Sequence, residues 1–400
     1  MTRLPEPLTA PWSLDPGIAH LNHGSFGAAP TEVLEAQREW QARLEREPVR
    51  FLARDLWTEL QRVREAVGAF VGAPADDIAL VPNATSGVNS VLRSMTFEAG
   101  DELVVTNHGY NACSNTVHFV AERSGAVVRV AEFPFPIRSA DEVVQGIERA
   151  LTERTKLLLV DHVTSPTGLV LPVERIVQLA RSRGIQVMID GAHAPGMLPL
   201  ALADLGADYY TGNFHKWVCT PKGSAFLHVR PDRQSSIAPW IISHGRNAPT
   251  TEYSRFRLEF EWTGTVDPSP WLVMPAAIEY VASLVEGGWD EVRRRNRALA
   301  LYGRDRLCEA LRLDRPAPDD MLGSLAAVPL PDGAATQSPG AFEVDPLQKA
   351  IYDDLALEVP VHTWPTAPKR LIRLSAQLYN DPADYERLAA WLARRLASPR

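Results

Sequence analysis

The sequence predicts an α/β fold in which a mainly parallel sheet, covered by helices, is followed by a smaller α/β domain. Short apolar runs alternate with segments of helical periodicity between residues 102 and 229. Strands and helices that alternate in this way form right-handed crossovers and a sheet buried on both faces. The pattern changes after about residue 270, and a chain of 400 residues exceeds the size of one hydrophobic core. Two domains are therefore expected.

The elements follow from periodicity and from the residues that interrupt it. Residues 31–70 have helical periodicity, and Pro48 predicts a break between two helices because proline removes a backbone donor. Another helical stretch follows the polar segment 83–87. The apolar runs that predict strands are 102–106, 126–133, 156–163, 185–190, 207–212 and 224–229. Helical segments such as 141–151 and 172–184 separate several of these runs.

The last third of the chain has a different pattern. Residues 275–312 predict one long helix that is interrupted near Gly287 and Gly288. Residues 314–346 are rich in Pro, Gly and Asp, which predicts exposed loops. A helix over 381–397 closes the chain.

Composition and charge exclude several classes of function. With 45% hydrophobic and 22% charged residues, the composition is that of a soluble globular protein. A net charge of -8 argues against nucleic-acid binding, which usually needs a basic face. No window approaches the roughly 18 continuous apolar residues of a membrane helix, and the proline-broken start is unlike a signal peptide. Cys113, Cys219 and Cys308 are too widely spaced for a metal pattern or a disulfide framework, so a cytoplasmic location is expected.

Three polar clusters follow predicted strands, where an α/β sheet binds its ligands. The first, 83–87, places small hydroxyl residues at a helix N-terminus, which either binds a phosphate or is an ordinary N-cap. The second, 190–193, ends a strand with an aspartate that either pairs with a protonated pyridine nitrogen or forms a turn.

The third cluster, 212–217, contains a lysine between aromatic residues. Partial desolvation would lower the pKa of Lys216 and free its amine to form an imine, although such a lysine can equally be a surface residue whose stem packs on a ring. Together the three clusters supply a phosphate site, a partner for a ring nitrogen and an amine that traps a carbonyl. This combination predicts a pyridoxal-phosphate (PLP) enzyme.

Several motifs resemble the class V aminotransferase family, and in particular its isopenicillin N epimerase-like branch. The motifs are DGAHAPG (190–196), GNFHKW (212–217), PKG (221–223), LNHGSFG (21–27), TSPTGLVLP (164–172), WTGTVD (262–267) and RLSAQLYND (373–381). The resemblance implies a PLP-transferase fold like that of aspartate aminotransferase, with a mainly parallel seven-stranded sheet in a large domain of residues 51–275. Residues 276–400 would form the small α/β domain, joined by the N-terminal segment 1–50.

The resemblance also implies the roles of residues at the reacting end of the cofactor. Lys216 would hold PLP as a Schiff base and then transfer protons at the substrate α-carbon. Asp190 would pair with the pyridine nitrogen, and His193 would bond the phenolic oxygen of the ring. Tyr110, in NHGYNA, would stack over the ring, or is a half-buried loop aromatic.

The remaining cofactor contacts would lie around the phosphate. Thr85, Ser86, Asn213 and His215 are the implied phosphate ligands. Thr265 resembles the residue that this family lends to the phosphate of the neighbouring subunit, which implies a homodimer with shared active sites. The alternative for Thr265 is a turn cap.

At the substrate end, Arg373 would bind the α-carboxylate of an amino-acid-like small molecule in a bidentate manner, or would join a surface ion pair. Ser165 would approach the oxygen side of the ring, where relatives often have Asn. His23 and Ser25 either contact the substrate or belong to a structural loop. His362 and Trp364 either line the pocket or fill an apolar lid.

The same residues that predict the cofactor leave more than one reaction open. Desulfuration through a cysteine persulfide is disfavoured because residues 359–375 contain no cysteine. Epimerisation is the favoured reaction, with Lys216 as one base and Tyr110, a histidine or water as a second acid. β-Elimination at a C–S bond and transamination stay open. A sensor without enzymatic activity is disfavoured because no basic helix-turn-helix precedes the predicted domain.

Overall fold

A computed structural model describes residues 4, 6–250, 252–334, 340 and 343–397. Its strands match most of the apolar runs seen in the sequence. They are β1 (Ala19–His20), β2 (Ile78–Val81), β3 (Glu102–Thr106), β4 (Val127–Ala131), β5 (Thr155–Asp161), β6 (Gln186–Asp190), β7 (Tyr209–Asn213), β8 (Ala225–Val229), β9 (Leu325–Leu330), β10 (Leu357–Glu358), β11 (Val361–Thr363) and β12 (Arg370–Ser375).

Seven strands form one sheet in the order β2-β8-β7-β6-β5-β3-β4. Strands β3 to β7 pair in parallel, whereas β8 runs antiparallel to both of its neighbours. The mainly parallel seven-stranded sheet is thus confirmed. Helices cover both faces, because neighbouring residues of β5 pack into different cores: Leu158 lies in one and Leu157 in the other.

The helices agree with the predicted periodicity. They are α1 (His23–Phe26), α2 (Thr31–Arg46), α3 (Pro48–Arg50), α4 (Leu56–Val71), α5 (Ala84–Ser94), α6 (Asn111–Ser124), α7 (Ala140–Ala150), α8 (Val173–Ser182), α9 (Leu202–Leu205), α10 (Arg255–Glu261), α11 (Ser269–Leu272), α12 (Met274–Ser283), α13 (Gly288–Leu311), α14 (Pro346–Leu355) and α15 (Pro382–Ala397). The break at Pro48 separates α2 from α3, and a π-helical turn over 51–55 leads into α4. Gly287 has a φ of 94°, a left-handed conformation that suits glycine and ends the helical path between α12 and α13.

A second, antiparallel sheet of order β11-β12-β9 packs against α13 and α15. The stretch 314–346, which the sequence predicts to contain exposed loops, also contains β9, a mostly buried strand that pairs with β12 along its length. The Pro- and Gly-rich flanks concealed this short apolar run. Part of the predicted loop region, residues 335–339 and 341–342, lies outside the described residues.

The N-terminal segment joins this second unit because β1 pairs in parallel with β10. That contact supports the proposed division into residues 1–50, 51–275 and 276–400, which stays a proposal. Among the helices of the described chain, none combines the length and the apolar character that crossing a membrane requires.

Candidate active site

A cavity of about 620 Å³ opens beyond the carboxyl ends of β5, β6 and β7. It collects residues from all three predicted polar clusters, as the topology of a parallel sheet requires. The cluster residues that line it are Thr85, Ser86, Asp190, His193, Asn213, His215 and Lys216. Tyr110, Ser25 and Ser165 line it as well.

Lys216 lies between two buried aromatic residues, Phe214 and Trp217, in the turn that follows β7. Its Nζ is 3.1 Å from Nε2 of His193. Burial, followed by the positive charge of Arg373, lowers the pKa of Lys216 to about 7. A substantial fraction of the amine is therefore neutral and nucleophilic near neutral pH, as the sequence predicted.

The N-terminal loop packs tightly on the lysine segment. Gly27 has a φ of 71°, and a Cβ at this position would lie 1.9 Å from the carbonyl oxygen of His215. Only glycine fits this contact. The motif LNHGSFG thus supports the backbone that carries the lysine.

The hydrogen bonds of His193 determine its tautomer. The indole Nε1 of Trp217 donates to Nδ1 of His193 at 3.3 Å, so the hydrogen of the neutral ring resides on Nε2. Burial, followed by the charges of Lys216 and Arg373, holds the pKa of His193 well below its usual value. His193 therefore directs an N–H donor into the cavity, which is the group needed to bond a phenolic oxygen.

Asp190 is buried at the end of β6, and both of its carboxyl oxygens accept hydrogen bonds. The backbone N–H of Ala192 donates to Oδ1 at 3.0 Å. The thiol of Cys113, on α6, donates to Oδ2 at 3.0 Å. These donors fix the carboxylate in one orientation toward the cavity.

The N-terminus of α5 has the predicted N-cap, and it also borders the cavity. Asn83 is the N-cap and accepts a hydrogen bond from the backbone N–H of Ser86 at 2.8 Å. Asn213 ties the same turn to β7 by accepting from the backbone N–H of Ala84 at 2.8 Å. Because Thr85 and Ser86 line the cavity, the positive end of the helix dipole also faces the space where a phosphate would bind.

Arg373 is a buried cation without an anionic partner. Its Nη1 donates to the carbonyl oxygen of Ser165 at 2.7 Å, and its Nη2 donates to Oγ of Ser25 at 3.0 Å. Its Nε has no hydrogen-bond partner, and no described carboxylate lies within ion-pair distance. Burial lowers the pKa of Arg373 to about 10. A carboxylate from outside the protein would supply the missing charge, so the surface ion-pair alternative is not supported.

Of the residues predicted to contact the cofactor, Tyr110 lines the cavity and Thr265 does not. Tyr110 is the N-cap residue of α6, lines the cavity and is 44% exposed; its stacking over the ring stays a prediction. Thr265 is exposed and does not line the cavity of its own chain. Its predicted role toward a neighbouring subunit stays a prediction.

Three residues with open alternatives are placed outside the cavity. His23 is fully buried: its Nδ1 lies 2.8 Å from the hydroxyl of Tyr379, and its Nε2 lies 2.8 Å from the carbonyl oxygen of Lys216. These contacts favour a structural role for His23 over contact with the substrate. Trp364 packs against His108 with ring centroids 4.6 Å apart, which favours the lid alternative. His362 also does not line the cavity, and burial lowers its pKa to about 3.

Two residues of the site were not identified from the sequence. Asp161 ends β5 and lines the cavity, and Cys113 contacts Asp190. Asp161 directly follows the apolar run KLLLV, just as Asp190 directly follows the run QVMI. This shared position at a strand end could have identified Asp161 as a site residue. Cys113 gave no signal, because its contact joins residues that are 77 positions apart.

The residues present fit pyridoxal phosphate. The cavity has a helix N-terminus for a phosphate, a carboxylate at a strand end for a ring nitrogen, an N–H donor on His193 and a partly neutral lysine amine. The unpartnered Nε of Arg373 lies beside the same cavity through Ser25 and Ser165. Each contact needed by the cofactor and by an α-carboxylate has a donor or acceptor of the right kind.

Comparisons with known proteins agree with this geometry. The family model "Aminotransferase class-V" matches residues 27–342. The chain is 37% identical over 391 residues to isopenicillin N epimerase of Amycolatopsis lactamdurans, covering 94% of this chain and 95% of that protein. It is 32% identical over 398 residues to a probable chloroplastic L-cysteine desulfhydrase of Arabidopsis thaliana, covering 94% and 82%.

Solved structures share the fold. An apo cysteine desulfurase from Thermococcus onnurineus NA1 superposes with a TM-score of 0.80 at 19% identity, covering 99% of both chains. The cystine C–S lyase C-DES, in complex with cysteine persulfide, superposes with a TM-score of 0.75 at 22% identity, covering 94% of this chain and 97% of that chain.

Proposed function

The chain belongs to the class V aminotransferase family of PLP-dependent enzymes, and within that family we propose that it is an epimerase acting at the α-carbon of an amino-acid substrate. The observation that carries the proposal is the partly neutral Lys216 amine beside His193, with the unpaired cation of Arg373 bonded to Ser25 and Ser165 of the cavity lining. Substantial identity to isopenicillin N epimerases from two organisms supports epimerisation in particular.

The bound cofactor supplies an electron sink that stabilises negative charge at the α-carbon. Lys216 provides the amine that holds the cofactor and afterwards accepts or returns the α-proton. Arg373 binds the α-carboxylate and so fixes which bond of the α-carbon faces the lysine. Asp190 would keep the ring nitrogen of the cofactor protonated, and the Nε2–H of His193 would be available as a donor to its phenolic oxygen.

Epimerisation also requires an acid on the face of the α-carbon opposite Lys216. Tyr110 supplies this acid in our proposal. Burial, followed by the nearby Cys113 and Asp190, raises the pKa of Tyr110, so its phenol is protonated and can donate at neutral pH. Nε2 of His193 lies 3.1 Å from Nζ of Lys216, so we prefer Tyr110 to His193 as the second acid.

The second candidate is elimination at a C–S bond, favoured by the L-cysteine desulfhydrase relatives. This reaction needs Lys216 and a leaving group on the β-carbon, but no second acid at the α-carbon. All three cysteines, Cys113, Cys219 and Cys308, are buried. Burial disfavours a mechanism in which a cysteine of the protein carries a persulfide. Transamination would require release of a keto acid and a second half-reaction.

A substrate panel in D₂O separates these reactions. Incorporation of deuterium with inversion supports an epimerase, release of pyruvate and ammonia supports a lyase, and amino transfer to an added keto acid supports an aminotransferase. Tyr110→Phe provides the sharper test, because it should abolish inversion while exchange from the Lys216 face continues. Inversion at the wild-type rate in Tyr110→Phe would rule out the phenol as the second acid.

We also propose a cytoplasmic homodimer with shared active sites. Thr265 is exposed and lies outside its own cavity, as expected of a residue that reaches a partner's phosphate. Trp240 lines the cavity, and it and the two residues that follow it, Ile241 and Ile242, are exposed apolar side chains. Unpaired cysteines are typical of a reducing compartment. Light scattering tests the dimer, and co-expression of Lys216→Ala with Thr265→Val chains tests sharing, since only mixed dimers would contain one intact site.

A further inference from the structure

Two carboxyl side chains meet at the ring-nitrogen end of the cavity. Asp161 and Asp190 are the last residues of β5 and β6 and are register partners in this parallel pair. Neighbouring strands lie about 4.8 Å apart, and register partners point to the same face. Both residues are buried, and both line the cavity.

The hydrogen bonds of the two carboxyls are unequal. Asp190 accepts the backbone N–H of Ala192 at one oxygen and the thiol of Cys113 at the other. Oδ2 of Asp161 is buried and has no hydrogen-bond partner. An ionised oxygen in that position is costly, whereas a protonated carboxyl removes the charge and provides a donor.

The surrounding charges do not compensate for two ionised carboxylates. The positive charge of Lys216 favours the ionised form of Asp161, but burial makes Lys216 a partly neutral amine. The backbone N–H groups of Tyr110 and Ser165 favour the ionised form. Burial and the adjacent Asp190 outweigh them and raise the pKa of Asp161 well above its usual value.

We propose that Asp161 is a positioning residue that stays protonated beside an ionised Asp190, so that the pair presents a single negative charge to the ring nitrogen of the cofactor. Cys113 assigns this charge to Asp190 through its S–H donor. One negative charge balances one protonated pyridine nitrogen, and a second would be left uncompensated in a buried site. Asp161 therefore acts on the cofactor through Asp190.

Infrared spectroscopy of the holoenzyme tests the proposal directly. The wild-type protein should show the carbonyl stretch of a protonated carboxylic acid at neutral pH, and Asp161→Asn should lack it. On raising the pH the band should disappear, and the cofactor absorbance should change in the same titration. That absorbance change should be lost in Asp161→Asn. A wild-type spectrum without the band, or a band unchanged in Asp161→Asn, overturns the proposal.

Cys113 variants provide a second test should Asp161→Asn fail to fold. Cys113→Ala removes a donor from Asp190, which weakens the preference for the negative charge on Asp190, so the band should shift in frequency. Cys113→Ser keeps a donor and should leave the band near its wild-type position. Identical bands in wild type and Cys113→Ala refute the assigned role of Cys113.

The inference rests on the cofactor site proposed above, yet the two can fail separately. A yellow holoenzyme without the band refutes the carboxyl pairing and leaves the role of Lys216 intact. A protein that forms no reducible imine with pyridoxal phosphate refutes the cofactor site itself.

Discussion

Replacing Arg373 with Met should remove most of the preference for substrates that carry an α-carboxylate. In the free protein the guanidinium donates to neutral oxygen atoms of Ser165, Ser25 and Asn22, and its Nε is unpartnered. A hydrogen bond to a charged group contributes about 1.5–3 kcal/mol, so a bidentate carboxylate contact contributes about 3–6 kcal/mol. We therefore expect kcat/KM for an amino-acid substrate to fall about a hundredfold to ten-thousandfold.

The assay compares an amino acid with the amine that its decarboxylation yields, using exchange of the α-proton as the readout for both. The variant should lose activity on the amino acid and keep most of its exchange rate on the amine. Arg370→Met is the matched control, because Arg370 is a buried arginine of the same strand that pairs with Asp345 at 3.2 Å. Equal losses on both compounds in Arg373→Met would refute the carboxylate clamp.

The same two variants should differ in stability. Burial lowers the pKa of Arg373 from 12.5 to about 10, which corresponds to about 3 kcal/mol of destabilisation of the charged form in the free protein. Arg373→Met should therefore keep or raise the Tm. Arg370→Met should lower the Tm, because it leaves Asp345 without its cation. A lower Tm for Arg373→Met alone would contradict this account of the buried charge.

Three further predictions concern the cofactor end of the site. Lys216→Ala should lose the yellow absorbance of the bound cofactor, and a variant that still forms a borohydride-reducible imine would contradict the assignment. Asp190→Ala should retain some cofactor but lose most activity, since an unprotonated pyridine is a poor electron sink; normal turnover would disprove the pairing. Because burial lowers the pKa of Lys216 to about 7, capture of pyridoxal phosphate by the apoprotein should accelerate with pH and level off above about 7. A rate that still rises toward about pH 10 would indicate an ordinary lysine.

The lowered pKa of Lys216 also makes the free energy of unfolding of the apoprotein depend on pH. The folded protein binds fewer protons at Lys216 than the unfolded chain does between about pH 7 and the ordinary lysine value of 10.5. The free energy of unfolding of the apoprotein should therefore rise with pH across this window, and the full cost is present below it. Lys216→Met should remove this component of the pH dependence.

Local pattern determined the fold and the cofactor-binding clusters. Alternating apolar runs such as 102–106 and 185–190 identify buried strands, because burial on both faces demands continuous apolar residues. Lys216 and Asp190 could be predicted as cofactor contacts because each lies in a short motif at a strand end. By contrast, β9 escaped notice because its six residues lie between Pro- and Gly-rich flanks.

Contacts between segments that are distant in the sequence were revealed only by the tertiary structure. The tautomer of His193 depends on the indole of Trp217, and the orientation of Asp190 depends on the thiol of Cys113. In the sequence, His23 is a candidate for contacting the substrate. In the structure its Nε2 instead lies 2.8 Å from the carbonyl oxygen of Lys216.

By itself, the sequence determined the sheet and the cofactor class and singled out Lys216 as the candidate lysine, since these follow from residue type and short-range order. The tertiary structure decided which groups carry charge. The unpaired cation of Arg373 and the unpartnered oxygen of Asp161 are properties of their surroundings, which chain segments far apart in sequence create when they pack together. Burial and hydrogen bonding set protonation, and both exist only after the chain has folded.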